Sequence, residues 1–131
     1  MRKAADLVDG VMSAPVVQVV PQDTVADALQ SMVERDIGAV VVVEDGRPVG
    51  VFTERDVSRR ILDDPKLLDR EVGDVMSAPV VTVTPTDEVV FIFGLMTDKR
   101  IRRLPVVEGN KLVGIVTERD LLRWVDAVAS E

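Results

Sequence analysis

Two kinds of apolar spacing alternate along this chain. Val25, Ala28, Leu29, Met32 and Val33 recur at i, i+3, i+4, i+7 and i+8, which predicts a helix with one buried face, opened by Asp23 or Thr24 as its cap. Residues 39–43 are apolar throughout and rich in β-branched valine, which predicts a fully buried strand. Glu44-Asp45-Gly46-Arg47 holds the Asp-Gly of a tight hairpin, with 49–52 as the returning strand. Ahead of these lie an expected helical lead-in at 2–10, a turn-bearing stretch at 12–15 and a brief strand at 16–20. At Thr53 the spacing changes again, and a second helix is predicted to about residue 62.

The same order then returns. A shift of 64 residues superposes the two halves without a gap, with 22 identities in the 47 positions of 11–57 against 75–121. Val11-Met12-Ser13-Ala14-Pro15-Val16-Val17 reappears as Val75-Met76-Ser77-Ala78-Pro79-Val80-Val81, and Val42-Val43-Glu44 as Val106-Val107-Glu108. The chain is a duplicated unit. The second copy predicts a strand near 80–84, a helix over 87–98, strands at 104–107 and 112–116 about a turn at 108–111, and a helix over 117–129. Residues 63–73 form the connector and second lead-in. One copy buries too little apolar surface to be secure alone. The expected architecture is therefore α+β, with two pseudo-symmetric repeats, 1–70 and 71–131, each a small sheet plus two helices, packed sheet to sheet.

The stretch that repeats with chemistry in it is Gly-x-x-Thr-x-x-Asp, at Gly50–Asp56 and again at Gly114–Asp120. In both, a strand hands over to a helix at Thr. Two readings fit. Thr caps the helix and Asp reaches back to its N–H, which is close to a capping box. Alternatively, the helix mouth and the acid one turn in hold a phosphate and a pair of ribose hydroxyls.

Composition narrows what such a site can do. With no cysteine and no histidine, disulfides, the usual zinc ligands and the commonest general base are missing, so neither catalytic residues nor a metal site is expected. A net charge of −7 opposes bulk binding to nucleic acid. No apolar run approaches a membrane span and no signal peptide is recognised, so a soluble cytoplasmic protein without a bound cofactor is expected.

In Val-Met-Ser-Ala-Pro-Val-Val at 11–17 and 75–81, in Leu104-Pro105-Val106-Val107, and in both Gly-x-x-Thr-x-x-Asp motifs, the chain resembles a tandem pair of CBS domains (cystathionine β-synthase domains; a pair is often called a Bateman module). The resemblance covers nearly the whole chain. It implies a non-catalytic regulatory module that senses energy state by binding AMP, ADP or ATP, or in some members S-adenosylmethionine or NAD, in clefts between the repeats. It further implies that one cleft uses Thr117, Asp120 and Ile115 against Met12, Val17, Ile37 and Gly38. The other uses Thr53, Asp56 and Val51 against Met76, Val81, Ile101 and Arg102. Asp would hold the ribose hydroxyls and Thr would face the phosphate or ribose. A ligand-free dimeric scaffold is the alternative.

Comparing the repeats adds two expectations. Lys99-Arg100-Ile101-Arg102-Arg103 stands where the first copy has Arg35-Asp36-Ile37-Gly38-Ala39, so Arg102 or Arg103 favours an anionic ligand beside Thr53 and Asp56. Phe91, Leu95, Leu122 and Trp124 replace Asp27, Ser31, Ser58 and Arg60, while Leu29/Phe93, Met32/Met96 and Ile61/Val125 keep the buried faces apolar. The four added residues are expected at a homodimer or partner interface.

Overall fold

The computed structural model describes residues 6–14 and 16–130. Residues 2–5 of the expected lead-in helix, and Pro15 of the first turn-bearing stretch, lie outside them. Two compact units form. One is central in sequence (17–80), and the other is terminal, joining the described residues up to 16 with 81–130. Both are α+β.

In the central unit, β1 (Gln18–Val19) runs parallel to β2 (Ala39–Glu44), which pairs antiparallel with β3 (Arg47–Thr53). Asp45 and Gly46 turn the hairpin with φ of 52° and 78°, the left-handed values a two-residue loop demands. Helix α1 (Val25–Arg35) is capped by Thr24, whose hydroxyl accepts the Asp27 N–H at 3.1 Å. It buries Val25, Ala28 and Met32, but Val33 is 72% exposed, so the apolar stripe is narrower than the spacing implies. Helix α2 (Glu54–Arg60) stops before residue 62, in a turn where Asp63 and Asp64 both donate N–H to Arg60 C=O. Pro65 disfavours helical geometry at Asp64 just before it. Ile61 is consequently 41% exposed rather than buried. A 3-10 turn (Leu67–Asp69) and α3 (Val72–Val75) complete the unit around Phe52, Leu67, Val40 and Val42.

The terminal unit comprises α4 (Val89–Lys99), the hairpin β4 (Arg103–Glu108) and β5 (Lys111–Thr117), and α5 (Glu118–Ala129). The strand expected over 80–84 reduces to one parallel bridge, Val83 to Val106. Its counterpart β1 is itself only two residues long, so this edge has little backbone pairing to lose. Of the lead-in, residues 8–10 are a 3-10 turn rather than a helix. The core gathers Ile92, Leu104, Val106, Val116 and Leu121, with Val8 from the lead-in. Val125 is 43% exposed, against the buried position its spacing suggested.

Each unit borrows the lead-in that precedes the other repeat. Val72 N–H donates to Asp23 C=O, and Val25 N–H to Arg70 C=O; 64 residues apart, Val8 donates to Asp87 and Val89 to Asp6. The Val25 and Val89 bonds satisfy the first free N–H groups of α1 and α4, and the Val72 and Val8 bonds those of α3 and the first 3-10 turn, all with main-chain oxygens. The lead-ins then continue as one-residue additions to the sheets. Ser77 exchanges both backbone bonds with Val51, and Ser13 does so with Ile115.

Candidate functional site

Both Gly-x-x-Thr-x-x-Asp motifs sit at the end of a β-hairpin where the strand becomes a helix. Thr53 Oγ1 accepts the Asp56 N–H at 3.3 Å, while Asp56 Oδ2 accepts Thr53 N–H at 2.8 Å and Oγ1–H at 3.1 Å. Thr117 and Asp120 repeat this at 3.2, 2.8 and 3.0 Å. The capping-box reading is therefore correct in both copies. It commits only one carboxylate oxygen, Oδ2.

The second oxygen differs between copies. Asp120 is 6% exposed, and its Oδ1 accepts Ser13 Oγ–H at 3.3 Å with Arg123 Nη1 at 3.9 Å. Asp56 is half-buried, and among the described residues its Oδ1 has no hydrogen-bond donor or ion pair. Sequence reasoning missed Ser13 and Arg123. Both recur in the repeat, as Ser77 and Arg59, but nothing in that pattern says which copies touch the acid.

The strand side of each mouth is aliphatic and tight. Met76 lies against Gly50 and packs partly on the central core; Met12 does the same at Gly114 in the terminal unit. The borrowed lead-in carries each methionine to the glycine that opens its motif. The structure thus gathers Met76, Val51, Thr53 and Asp56 in the central unit, and Met12, Ile115, Thr117 and Asp120 in the terminal unit.

The remaining expected residues divide by unit. Val17, Ile37 and Gly38 belong to the central unit, where Gly38 C=O accepts Glu54 N–H at 3.0 Å. A Cβ on Gly38 would stand 3.0 Å from the Glu54 carboxylate. Val81, Ile101, Arg102 and Arg103 belong to the terminal unit. There Arg102 C=O accepts Glu118 N–H at 2.9 Å and Arg103 pairs in register with Thr117. Arg102 is exposed and Arg103 half-buried. Among the described residues no three acidic side chains are placed to hold a metal ion, and no helix is long and apolar enough to cross a membrane.

The four apolar substitutions on the terminal unit also divide. Phe91 and Leu122 are 53% and 60% exposed, with Val90 and Val125 also open. Leu95 and Trp124 instead pack partly on the core. Trp124 stacks at a tilt on Phe93, ring centroids 5.8 Å apart, and its indole N–H donates to Asp6 at 2.6 Å. Trp124 also lines a shallow groove of about 360 Å³ with Asp6, Leu7, Asp9, Gly10 and Val11, none of them an expected ligand contact.

A duplicated hairpin-to-helix unit with a borrowed lead-in and a Thr–Asp cap in each copy defines a class of paired modules. The CBS-domain family model matches residues 6–63 and 72–127, and the chain belongs to that family. An uncharacterised protein of Methanopyrus kandleri is 43% identical over 106 residues, which is 79% of this chain and 54% of that protein. The chain thus spans about half the length of this relative. A protein with CBS domains from Burkholderia ambifaria superposes with a TM-score of 0.80 at 34% identity, covering 93% of this chain and 95% of that one. The CBS domain pair of protein MJ0100, solved with 5'-methylthioadenosine and S-adenosyl-L-methionine, shares the fold at a TM-score of 0.84 and 22% identity, covering 94% and 98%.

Proposed function

We propose that this chain is a cytoplasmic regulatory module without catalytic activity. It binds adenosine nucleotides at its two Thr–Asp mouths, AMP first and ADP or ATP as alternatives. The observation that carries this reading is the half-buried Asp56. Its cap consumes one oxygen and leaves the other uncommitted among the described residues, at the end of a hairpin strand that carries Val51 and whose Gly50 lies against Met76. A carboxylate oxygen with open lone pairs is what a ribose diol requires, and an aliphatic floor suits a base.

Within the terminal unit Arg102 and Arg103 are cations available to a phosphate, where the first repeat has Gly38 and Ala39. Occupancy regulates only if affinity differs between two arrangements of the protein or its assembly. The output then passes to a partner protein or through self-assembly. Exposed Phe91 and Leu122 favour a homodimer as that route, and they also keep alive a second reading, a ligand-free scaffold.

Thermal unfolding with AMP, ADP, ATP and S-adenosylmethionine separates the two. A specific ligand at a hundredfold excess over Kd stabilises the fold by about 2.7 kcal/mol, whereas a scaffold shows no shift with any of them. Calorimetry on Arg102→Ala and Arg103→Ala then tests the phosphate contact. Unchanged AMP affinity in both variants removes it.

A further inference from the structure

Two identical Thr-Glu-Arg-Asp stretches differ in what the second carboxylate oxygen of the acid accepts. In each, Oδ2 of the acid accepts two bonds from Thr, which fills its usual acceptor capacity, so Oδ1 alone remains for a ligand hydroxyl. At Asp56 that atom accepts nothing among the described residues. At Asp120 it already accepts the hydroxyl of Ser13 at 3.3 Å, with the Arg123 guanidinium 3.9 Å away.

Ser13 does not drift there by chance of an exposed rotamer alone. Its N–H and C=O are both bonded to Ile115, at 2.9 and 3.0 Å, two residues before Thr117, which fixes its backbone beside the mouth. Ser77 is held on Val51 in the same way, yet it makes no bond to Asp56 among the described residues, nor does Arg59. The burial differs accordingly: Asp120 is 6% exposed and Asp56 only half-buried.

We propose that Ser13, backed by Arg123, is a built-in occupant of Asp120, so that the mouth of Thr117 and Asp120 accepts a ribose only after the serine hydroxyl is displaced. The chain then carries one open site and one self-occupied site. This rests on the reading of both mouths as adenosine-nucleotide sites. Its regulatory consequence is a graded response, with the second site filling only at higher ligand concentration.

The test is calorimetric titration of the full chain with AMP. Wild type shows two sites whose affinities differ by roughly tenfold, the scale of one hydrogen bond to a charged acceptor. Ser13→Ala tightens the weaker site by about five- to tenfold and leaves the stronger one unchanged, whereas Ser13→Thr, which keeps a hydroxyl, restores the wild-type gap. Arg123→Ala moves the weaker site in the same direction by less, and covers the case in which Ser13→Ala does not fold. Asp56→Ala abolishes the stronger site. Equal sites in wild type, an unchanged weaker site in Ser13→Ala and Arg123→Ala, or a weaker site that loosens further, each overturns the proposal while AMP binding stands. Absence of AMP binding in every variant overturns the nucleotide reading itself and this inference with it.

Discussion

Met12 and Gly114 compete for one space: the thioether sulfur lies 2.7 Å from the point where a Cβ on residue 114 would stand, with Ser13 C=O at 3.0 Å. Gly50 and Met76 are related in the same way, with Ser77 C=O at 3.1 Å. The missing side chain is what lets the borrowed lead-in close onto the strand. Gly114→Ala and Gly50→Ala must push back both a methionine and a backbone oxygen. Each is expected to cost about 1–3 kcal/mol, seen as a melting temperature lower by roughly 3–5 °C per kcal/mol.

Thr117 joins strand to helix through two side-chain bonds with Asp120. Thr117→Ala removes both and leaves a nearly buried carboxylate with one donor fewer. A loss of about 1–2 kcal/mol in urea unfolding without ligand is expected. Thr117→Ser, which keeps the hydroxyl, should recover most of it.

Asp64 and Arg70 clasp the connector through two nitrogen–oxygen bonds. The Arg70 hydrogen bond is the main reason the Asp64 carboxyl is held below its ordinary 3.8. A depressed folded-state value means stabilisation that is complete above 3.8 and lost as pH falls through the lower folded value. Arg70→Ala should therefore lower the urea midpoint slightly at neutral pH and match wild type once Asp64 is protonated. Arg70 is exposed and Asp64 half-buried, so added salt should shrink the neutral-pH difference as well.

Ile92 and Val33 are both apolar helix residues, yet one is 0% and the other 72% exposed. Ile92→Ala is expected to cost about 2–5 kcal/mol, as for other cavities of this size. Val33→Lys should stay within about 0.5 kcal/mol. Equal effects in denaturant titrations would contradict the packing of α1 and α4.

Phe91 and Leu122 are the candidates for self-association. Phe91→Glu with Leu122→Glu should convert a dimer to a monomer by light scattering at micromolar concentration while the melting profile of the dissociated protein stays cooperative. Trp124→Ala should act differently, by destabilising the fold, because its ring packs on Phe93 and its N–H is bonded to Asp6.

The parts legible in sequence are those governed by local rules. The 64-residue repeat, the Asp45-Gly46 hairpin and both Thr caps follow from residue type and spacing within a few positions. What escaped depends on neighbours distant in the chain. Val33 obeys the helical spacing but stands 72% exposed, and Trp124 is drawn from an expected outer face by Phe93 and Asp6. The strand expected over 80–84 is a run of β-branched residues, yet among the described residues only Val83 bridges to β4, a strand as long as β2. At the site, Thr53–Asp56 and Thr117–Asp120 are letter-for-letter alike. Their difference comes from a serine 107 residues away along the chain from Asp120.

The borrowed lead-ins also set an order on biosynthesis. Everything the central unit packs together lies within 17–80, so it can close as soon as that stretch has left the ribosome. The terminal unit joins residues up to 16 with 81–130, and must wait until the second repeat has been made. Until then Val8, Met12 and their neighbours trail as an apolar thread without a seat, while the central unit has already closed.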